Sequence, residues 1–214
     1  MEKLKKDFRL VLASRSPRRR LLLEEQGYKF DIIPSDDKKE EELAQSLSRL
    51  TPKEFVKTLA TFKAENVARQ IQRQKLDGCY CSDLLTKQTI VLACDSVAVC
   101  HNIILGKPQD EFDAKRMLQC LSGSTHFVHT GLCLWNIERQ KHISVVETSQ
   151  LRMTPLSSRQ LNDYLASGLW KGKAGAFGYQ DDNDWLILES GSASNVVGLP
   201  LERLKIELEQ FLDF

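Results

Sequence analysis

The apolar positions of the chain recur in two rhythms. Near-continuous runs at "RLVLA" (residues 9–13) and "QTIVLACDSVAVC" (88–100) read as buried strands. "THFVHTGLCLWNI" (125–137) and "HISVVETSQLRMT" (142–154) read as two strands paired across a polar turn. "YKFDIIPS" (28–35) alternates, placing Phe30, Ile32 and Pro34 inward, and leads into an acidic loop, "DDKKEEE" (36–42). Helical spacing appears elsewhere. Phe55, Leu59, Phe62, Val67 and Ile71 form one stripe, opened by Thr51, Pro52 and Glu54 in a capping-box arrangement. "DEFDAKRMLQCLSG" (110–123) starts acidic and stops at Gly123, "SSRQLNDYLAS" (157–167) closes at Gly168, and Leu201, Leu204, Leu208, Phe211 and Leu212 share one face of a last helix. Residues 101–109, "HNIILGKPQ", carry turn chemistry around Asn102 and Gly106. Residues 72–88 are polar and unperiodic and predict a loop or insertion.

Strands and helices alternate without an internal repeat. The pattern therefore predicts an α/β or α+β fold, a mixed and partly antiparallel twisted sheet flanked by helices, in one domain over 1–214. Charge adds a restriction. Thirty basic and twenty-nine acidic residues leave a net charge of +1, which gives no support for broad nucleic-acid binding. No apolar run reaches the length of a membrane span, so the expected compartment is the cytoplasm. The six cysteines (79, 81, 94, 100, 120 and 133) include only a lone C-x-C at Cys79 and Cys81, and they read as structural or incidental.

Basic residues are instead concentrated locally. "LASRSPRRRLLLEEQG" (12–27) predicts a helix capped by Ser16, with Pro17 first, Leu21, Leu22 and Leu23 apolar, and Gly27 as its stop. Arg18 and Arg19 crowd its first turn, where the macrodipole favours anions. An anionic ligand among them would remove that conflict, since free N–H groups at a helix start hold phosphate oxygens. Asp95 is the sharpest anomaly, a carboxylate inside an apolar strand, expensive unless it is paired or binds a cation. Lys63 lies within the second helix's apolar stripe, and Lys107 follows a turn in "LGKP". Fixed cations neutralise a polyphosphate, and one carboxylate holds a divalent metal or takes a proton from water. "GLWKGKA" lacks the spacing of a phosphate-binding loop, and the four histidines read as structural.

Six blocks, "LASRSPRRRLL", "KAENVA", "ACDSVAV", "ILGKPQDEFDAKRMLQCLSGSTHFVHTGL", "KAGAFGYQ" and "SNVVGLPL", run in order from Leu12 to Leu201. In that order they resemble the Maf family of nucleoside triphosphate pyrophosphatases. The resemblance implies a Maf/inosine-triphosphatase-like fold with a nucleotide cleft. It also implies a cytoplasmic homodimer that needs Mg²⁺ or Mn²⁺ and splits a nucleoside triphosphate into the monophosphate and pyrophosphate. On matching positions it makes Asp95 the proton acceptor and metal neighbour, with Lys63 and Lys107 beside it in catalysis. Ser14 and Arg19 complete the triphosphate cluster, and Arg18, Ser96 and Gln180 select the base. "SPRR" and "GYQ" resemble the branch selective for dTTP and UTP. Three departures stand out: Ser96 in place of Thr, "GYQDDND" in place of a glycine-rich run, and "DDKKEEE" in place of the family's acidic loop. They leave open whether Glu40, Glu41 or neither assists the metal. The altered "GYQDDND" run keeps another nucleotide such as 7-methyl-GTP in play, and because the same cations serve binding alone, so does a non-catalytic nucleotide-binding regulator of septum formation.

Overall fold

The computed structural model describes residues 8–47, 49–76, 88–181 and 183–213. Cys79, Cys81 and most of the expected 72–88 loop lie outside the described residues. Seven strands form one mixed sheet. They are β1 (Phe8–Leu12), β2 (Phe30–Ile32), β3 (Gln88–Cys100), β4 (Ile103–Leu105), β5 (Thr125–Asn136), β6 (Lys141–Met153) and β7 (Leu186–Ser190). Their order is β2-β1-β3-β5-β6-β7, with β4 hydrogen-bonded to β3. β1 is parallel to both β2 and β3, whereas β4 on β3 and β7 on β6 are antiparallel. The chain divides into two compact units. One comprises residues 1–95, 131–146 and 201–214, the other 96–130 and 147–200.

In the first unit, α1 (Pro17–Glu25) begins after Ser16, which occupies the cap position without a side-chain capping bond. It ends as expected at Gly27. With φ at 73°, Gly27 donates to Glu24 O while Tyr28 N–H reaches back to Leu23 O, a left-handed stop that costs a glycine nothing. Leu22 and Leu23 are buried, but Leu21 faces solvent, so the apolar side is narrower than three consecutive leucines predict. The acidic stretch is not a loop. Asp37–Ser46 is a helix, α2, capped by Asp36, whose side chain accepts from Lys39 N–H at 3.3 Å. The first-turn acids Asp37 and Glu40 suit its positive end. β2 is a three-residue strand whose Ile32 is exposed, and it is Ile33 that packs inward.

α3 (Pro52–Leu76) opens with the expected capping box. Glu54 accepts from Thr51 N–H at 3.0 Å, and Glu54 N–H donates to Thr51 Oγ1 at 3.3 Å. It runs through residue 76, more than three turns beyond Lys63 and into the stretch expected to be loop. Its buried stripe is Val56, Leu59, Ala60, Lys63, Ala64, Val67, Ala68 and Ile71, with Phe55 and Phe62 at the margins. That stripe packs on Val11, Ala13, Val91, Ala93 and Cys133 of the sheet. α7 (Leu201–Asp213) buries Leu204, Leu208, Phe211 and Leu212.

In the second unit, β3 turns into β4 through His101 and Asn102, both at positive φ, a two-residue hairpin turn. α4 (Glu111–Leu121) is capped by Asp110, and α5 (Ser158–Ser167) by a Ser157/Gln160 capping box. A short 3-10 turn (Ala174–Ala176) and α6 (Ala193–Val197) complete it. Its core joins Leu105, Met117, Leu118, Leu151, Trp170 and Phe177. No helix among the described residues is long and apolar enough to cross a membrane.

Candidate active site

Lys63 is the centre of the charged cluster in the first unit. The stripe that buries Leu59, Ala60 and Val67 also carries Lys63 inward, because residues at i, i+3 and i+4 share a helix face. Its side chain is 8% exposed, and its Nζ lies 2.6 Å from Asp95 Oδ1 and 2.8 Å from Glu40 Oε1. One ammonium thus bridges two carboxylates. Glu40 comes from α2, Lys63 from α3 and Asp95 from β3. Ser35 Oγ donates to the other oxygen of Glu40 at 3.1 Å. Of the acidic candidates between 36 and 42, Glu40 is the one that joins the lysine, and Glu41 is exposed. The signal for Glu40 in the sequence is its place in the first turn of a helix capped by Asp36.

The arginines at and just before the start of α1 divide their tasks. Arg20 pairs with Glu24 on the surface at 2.8 Å, and Arg15 pairs with Asp37. Arg19 turns back, donating to Ser14 Oγ at 3.1 Å, and Ser16 N–H donates to the same oxygen at 3.2 Å. The first turn of α1 contains no acidic residue, and Arg18 is half-buried. The Cys94 thiol registers the local field. Burial pushes it up to about 12, while the positive charges of Arg19 and Lys63 pull it down and Cys133 and Asp95 push it further up. Arg19, Lys63 and Asp95 therefore all act on Cys94, midway along β3. Four predicted residues, Ser14, Arg19, Lys63 and Asp95, are brought together here. Asp95 and Glu40 are also the residues that could hold a hard divalent cation, since both offer carboxylate oxygens. A cavity of about 540 Å³ in this unit is lined by Arg15, Ser35, Asp36, Asp37, Lys38 and Gln70, and contains none of the predicted residues.

Of the other predicted residues, Arg18 belongs to the same unit, whereas Ser96, Lys107 and Gln180 belong to the second. Ser96 Oγ is 2.9 Å from Thr130 Oγ1, which donates to Asn195 O at 3.2 Å. Asn195 is buried, its Nδ2 donating to Val128 O and Ser149 Oγ, so the Ser96 hydroxyl rests on a fixed polar chain. Lys107 and Gln180 are exposed. The Gly175 N–H donates to Gly106 O at 2.9 Å, tying the segment before Lys107 to the one that leads to Gln180. Next to Gln180, Asp181 accepts from the Tyr164 hydroxyl at 2.6 Å and forms a half-buried ion pair with Lys173. This brace escaped the sequence reading, because Tyr164 and Lys173 are ordinary helix and loop residues until the fold folds them onto Asp181.

An open mixed sheet whose central strand β3 carries Asp95, met by a buried lysine from α3 and with the arginines of α1 in the same unit, defines an α/β protein with a charged, polyanion-compatible centre. The chain belongs to the Maf family: the family model described as "Maf-like protein" matches residues 9–211. A dTTP/UTP pyrophosphatase from Rhodopirellula baltica is 45% identical over 203 residues, covering 94% of this chain and 82% of that protein. One from Carboxydothermus hydrogenoformans is 35% identical over 204 residues, covering 95% and 98%. One from Desulfitobacterium hafniense is 38% identical over 200 residues, covering 93% and 83%. Among solved structures, a HAM1 protein from Coxiella burnetii aligns at a TM-score of 0.49 and 15% identity, covering 95% of this chain and 100% of that one.

Proposed function

We propose that this chain is a nucleoside triphosphate pyrophosphatase that hydrolyses dTTP and UTP, and modified pyrimidine nucleotides, to the monophosphate and pyrophosphate. The observation that carries the reading is Lys63 held between Asp95 and Glu40, close to Arg19, in a chain 45% identical to a protein of that name. Water adds at phosphorus, its proton passes to an Asp95 carboxylate oxygen, and the bridge between the α- and β-phosphates breaks. Arg19, Lys63 and Lys107 stabilise the charge that develops on the phosphoryl and leaving oxygens, which is most of what phosphoryl transfer asks of a protein. Ser14 holds Arg19 in place through the hydrogen bond at 3.1 Å. Asp95 and Glu40 fit Mg²⁺ or Mn²⁺, which when bound would neutralise phosphate charge and lower the pKa of a water. Arg18, Ser96 and Gln180 select the base, Ser96 with its hydroxyl oriented by Thr130. The reading keeps the expectation of a cytoplasmic homodimer drawn from the family resemblance.

The test is pyrophosphate release from dTTP, UTP, CTP and 7-methyl-GTP with Mg²⁺ or Mn²⁺, beside Asp95→Asn. dTTP and UTP should turn over fastest, and the variant should lose about 10²–10⁴-fold in kcat, the usual scale for a lost general base. Preference for another nucleotide would overturn the base-selecting roles. Binding without turnover would make the chain a nucleotide-binding regulator instead.

A further inference from the structure

We propose that Cys100, His101 and Cys120 form a second metal site, for a single thiophilic ion of the zinc class. The three residues come from the end of β3, the first position of the β3–β4 turn and the last turn of α4. His101 Nδ1 lies 3.7 Å from Cys100 Sγ and 4.0 Å from Cys120 Sγ, and all three atoms fall within 4.8 Å of one another. Zinc–sulfur bonds of about 2.3 Å and zinc–nitrogen bonds of about 2.0 Å at tetrahedral angles place ligand atoms roughly 3.5–3.8 Å apart. Only a small contraction separates the two arrangements.

Local structure favours this grouping. His101 holds φ at 49°, in the left-handed region where Asn or Gly would be more at ease, and in that conformation its ring faces both sulfurs. Cys100 is buried, Cys120 half-buried and His101 exposed, so an ion has a solvent route and a sheltered seat. Two thiolates neutralise a dication, and three protein ligands leave a fourth position for water. Sulfur ligands reject Mg²⁺ and Mn²⁺, so the site is chemically separate from the carboxylates Asp95 and Glu40. Zinc is held by thiolate rather than thiol, so binding exchanges a dication for two protons: both S–H bonds break, two metal–sulfur bonds form, and affinity falls as pH falls. The bound ion would pin the β3–β4 hairpin to α4.

The experiment uses the reduced full-length protein, titrated with Zn²⁺ against a chromophoric chelator and with Co²⁺ followed by absorption. The expected result is one ion per chain, with a tetrahedral cobalt–thiolate spectrum. His101→Asn, which suits the turn and keeps the fold, and Cys120→Ser should each weaken Zn²⁺ binding by more than the ~100-fold that losing an outer-shell partner costs. Circular dichroism melting would show both variants folded. Asp95→Asn and the double variant Cys79→Ser/Cys81→Ser should bind as the parent does. Four results would overturn the proposal: no stoichiometric binding, binding unchanged in both His101→Asn and Cys120→Ser, loss of binding in the Cys79/Cys81 double variant, or a Cys100–Cys120 disulfide whose reduced form binds no ion.

Discussion

A lysine with its side chain 8% exposed is shared by two carboxylates, and the sharing is unequal. Asp95 and Glu40 each have one ammonium, while Lys63 has both of them. Removing the lysine strands two neighbouring anions in a sheltered place, and breaking a buried pair in that sense costs about 3–5 kcal/mol. Removing the charge of Asp95 leaves Lys63 paired with Glu40 and costs only about 1 kcal/mol, a net hydrogen bond. Lys63→Met should therefore lower the urea midpoint far more than Asp95→Asn, although both should lower turnover; equal losses would mean that the pair contributes nothing beyond its hydrogen bonds. The anomaly that betrays this site in the sequence is local: a carboxylate in "ACDSVAV" and a lysine on an apolar helix stripe are each costly alone. Glu40 stays ambiguous in the sequence because three consecutive glutamates look alike until α2 fixes which one points back. The Tyr164–Lys173–Asp181 brace is illegible for a different reason, since no period or motif links positions 17 and 8 residues apart across a loop.

At the scale of elements, the position of Lys63 depends on how closely α3 lies against the sheet. Ala60, Ala64 and Ala68 keep the buried face of the helix shallow, and Gly131 of β5 removes the last obstacle. A Cβ at Gly131 would overlap the backbone carbonyl of Val56, two helical turns before Lys63. Backbone cannot rotate aside as a side chain can, so Gly131→Ala must shift the helix. The expected cost is about 3 kcal/mol, the upper end of core overpacking, with a Tm loss of roughly 6–12 °C at this chain length and a fall in kcat. Gly27→Ala is the comparison: φ of 73° but no atom within 4 Å, hence strain alone and about 1 kcal/mol. A reversed order in calorimetry would remove close helix–sheet approach as the device that positions Lys63. Elements with strong period and caps, such as α3 with Thr51 and Glu54 or α5 with Ser157 and Gln160, are legible from the sequence. α2 is not, because none of its residues is fully buried and so no apolar stripe announces it; only its cap at Asp36 does. β2 is too short for alternation to decide between Ile32 and Ile33.

For the whole molecule, a net charge of +1 leaves little long-range repulsion to drive unfolding near neutrality, so the pH response falls to a few buried groups. Cys94 and Cys133, pushed by burial to about 12 and about 11, stay neutral throughout and contribute no slope. Glu138 is held below its ordinary range: burial pushes it up, and the Thr89 N–H with Lys75 more than offsets that. Its stabilisation is present above its unfolded pKa and lost in acid. His126 acts earlier. It is fully buried on β5, edge-on to Phe177 at 5.2 Å, and burial lowers it from 6.5 to about 4, with the Ser124 backbone and Glu189 opposing weakly. Between those values the unfolded chain binds a proton that the folded chain refuses. Stability is therefore full above pH 6.5, drains as the pH falls, and has lost on the order of 3 kcal/mol below pH 4. His126→Leu keeps the site apolar and removes the proton. Urea midpoints measured from pH 7.5 down to 4 should fall more steeply for the parent than for this variant, most of all between 6.5 and 4. The carboxylates common to both proteins cancel in the difference. Parallel curves would show that His126 takes up its proton within the folded chain, and would move the acid sensitivity of the fold to its carboxylates alone.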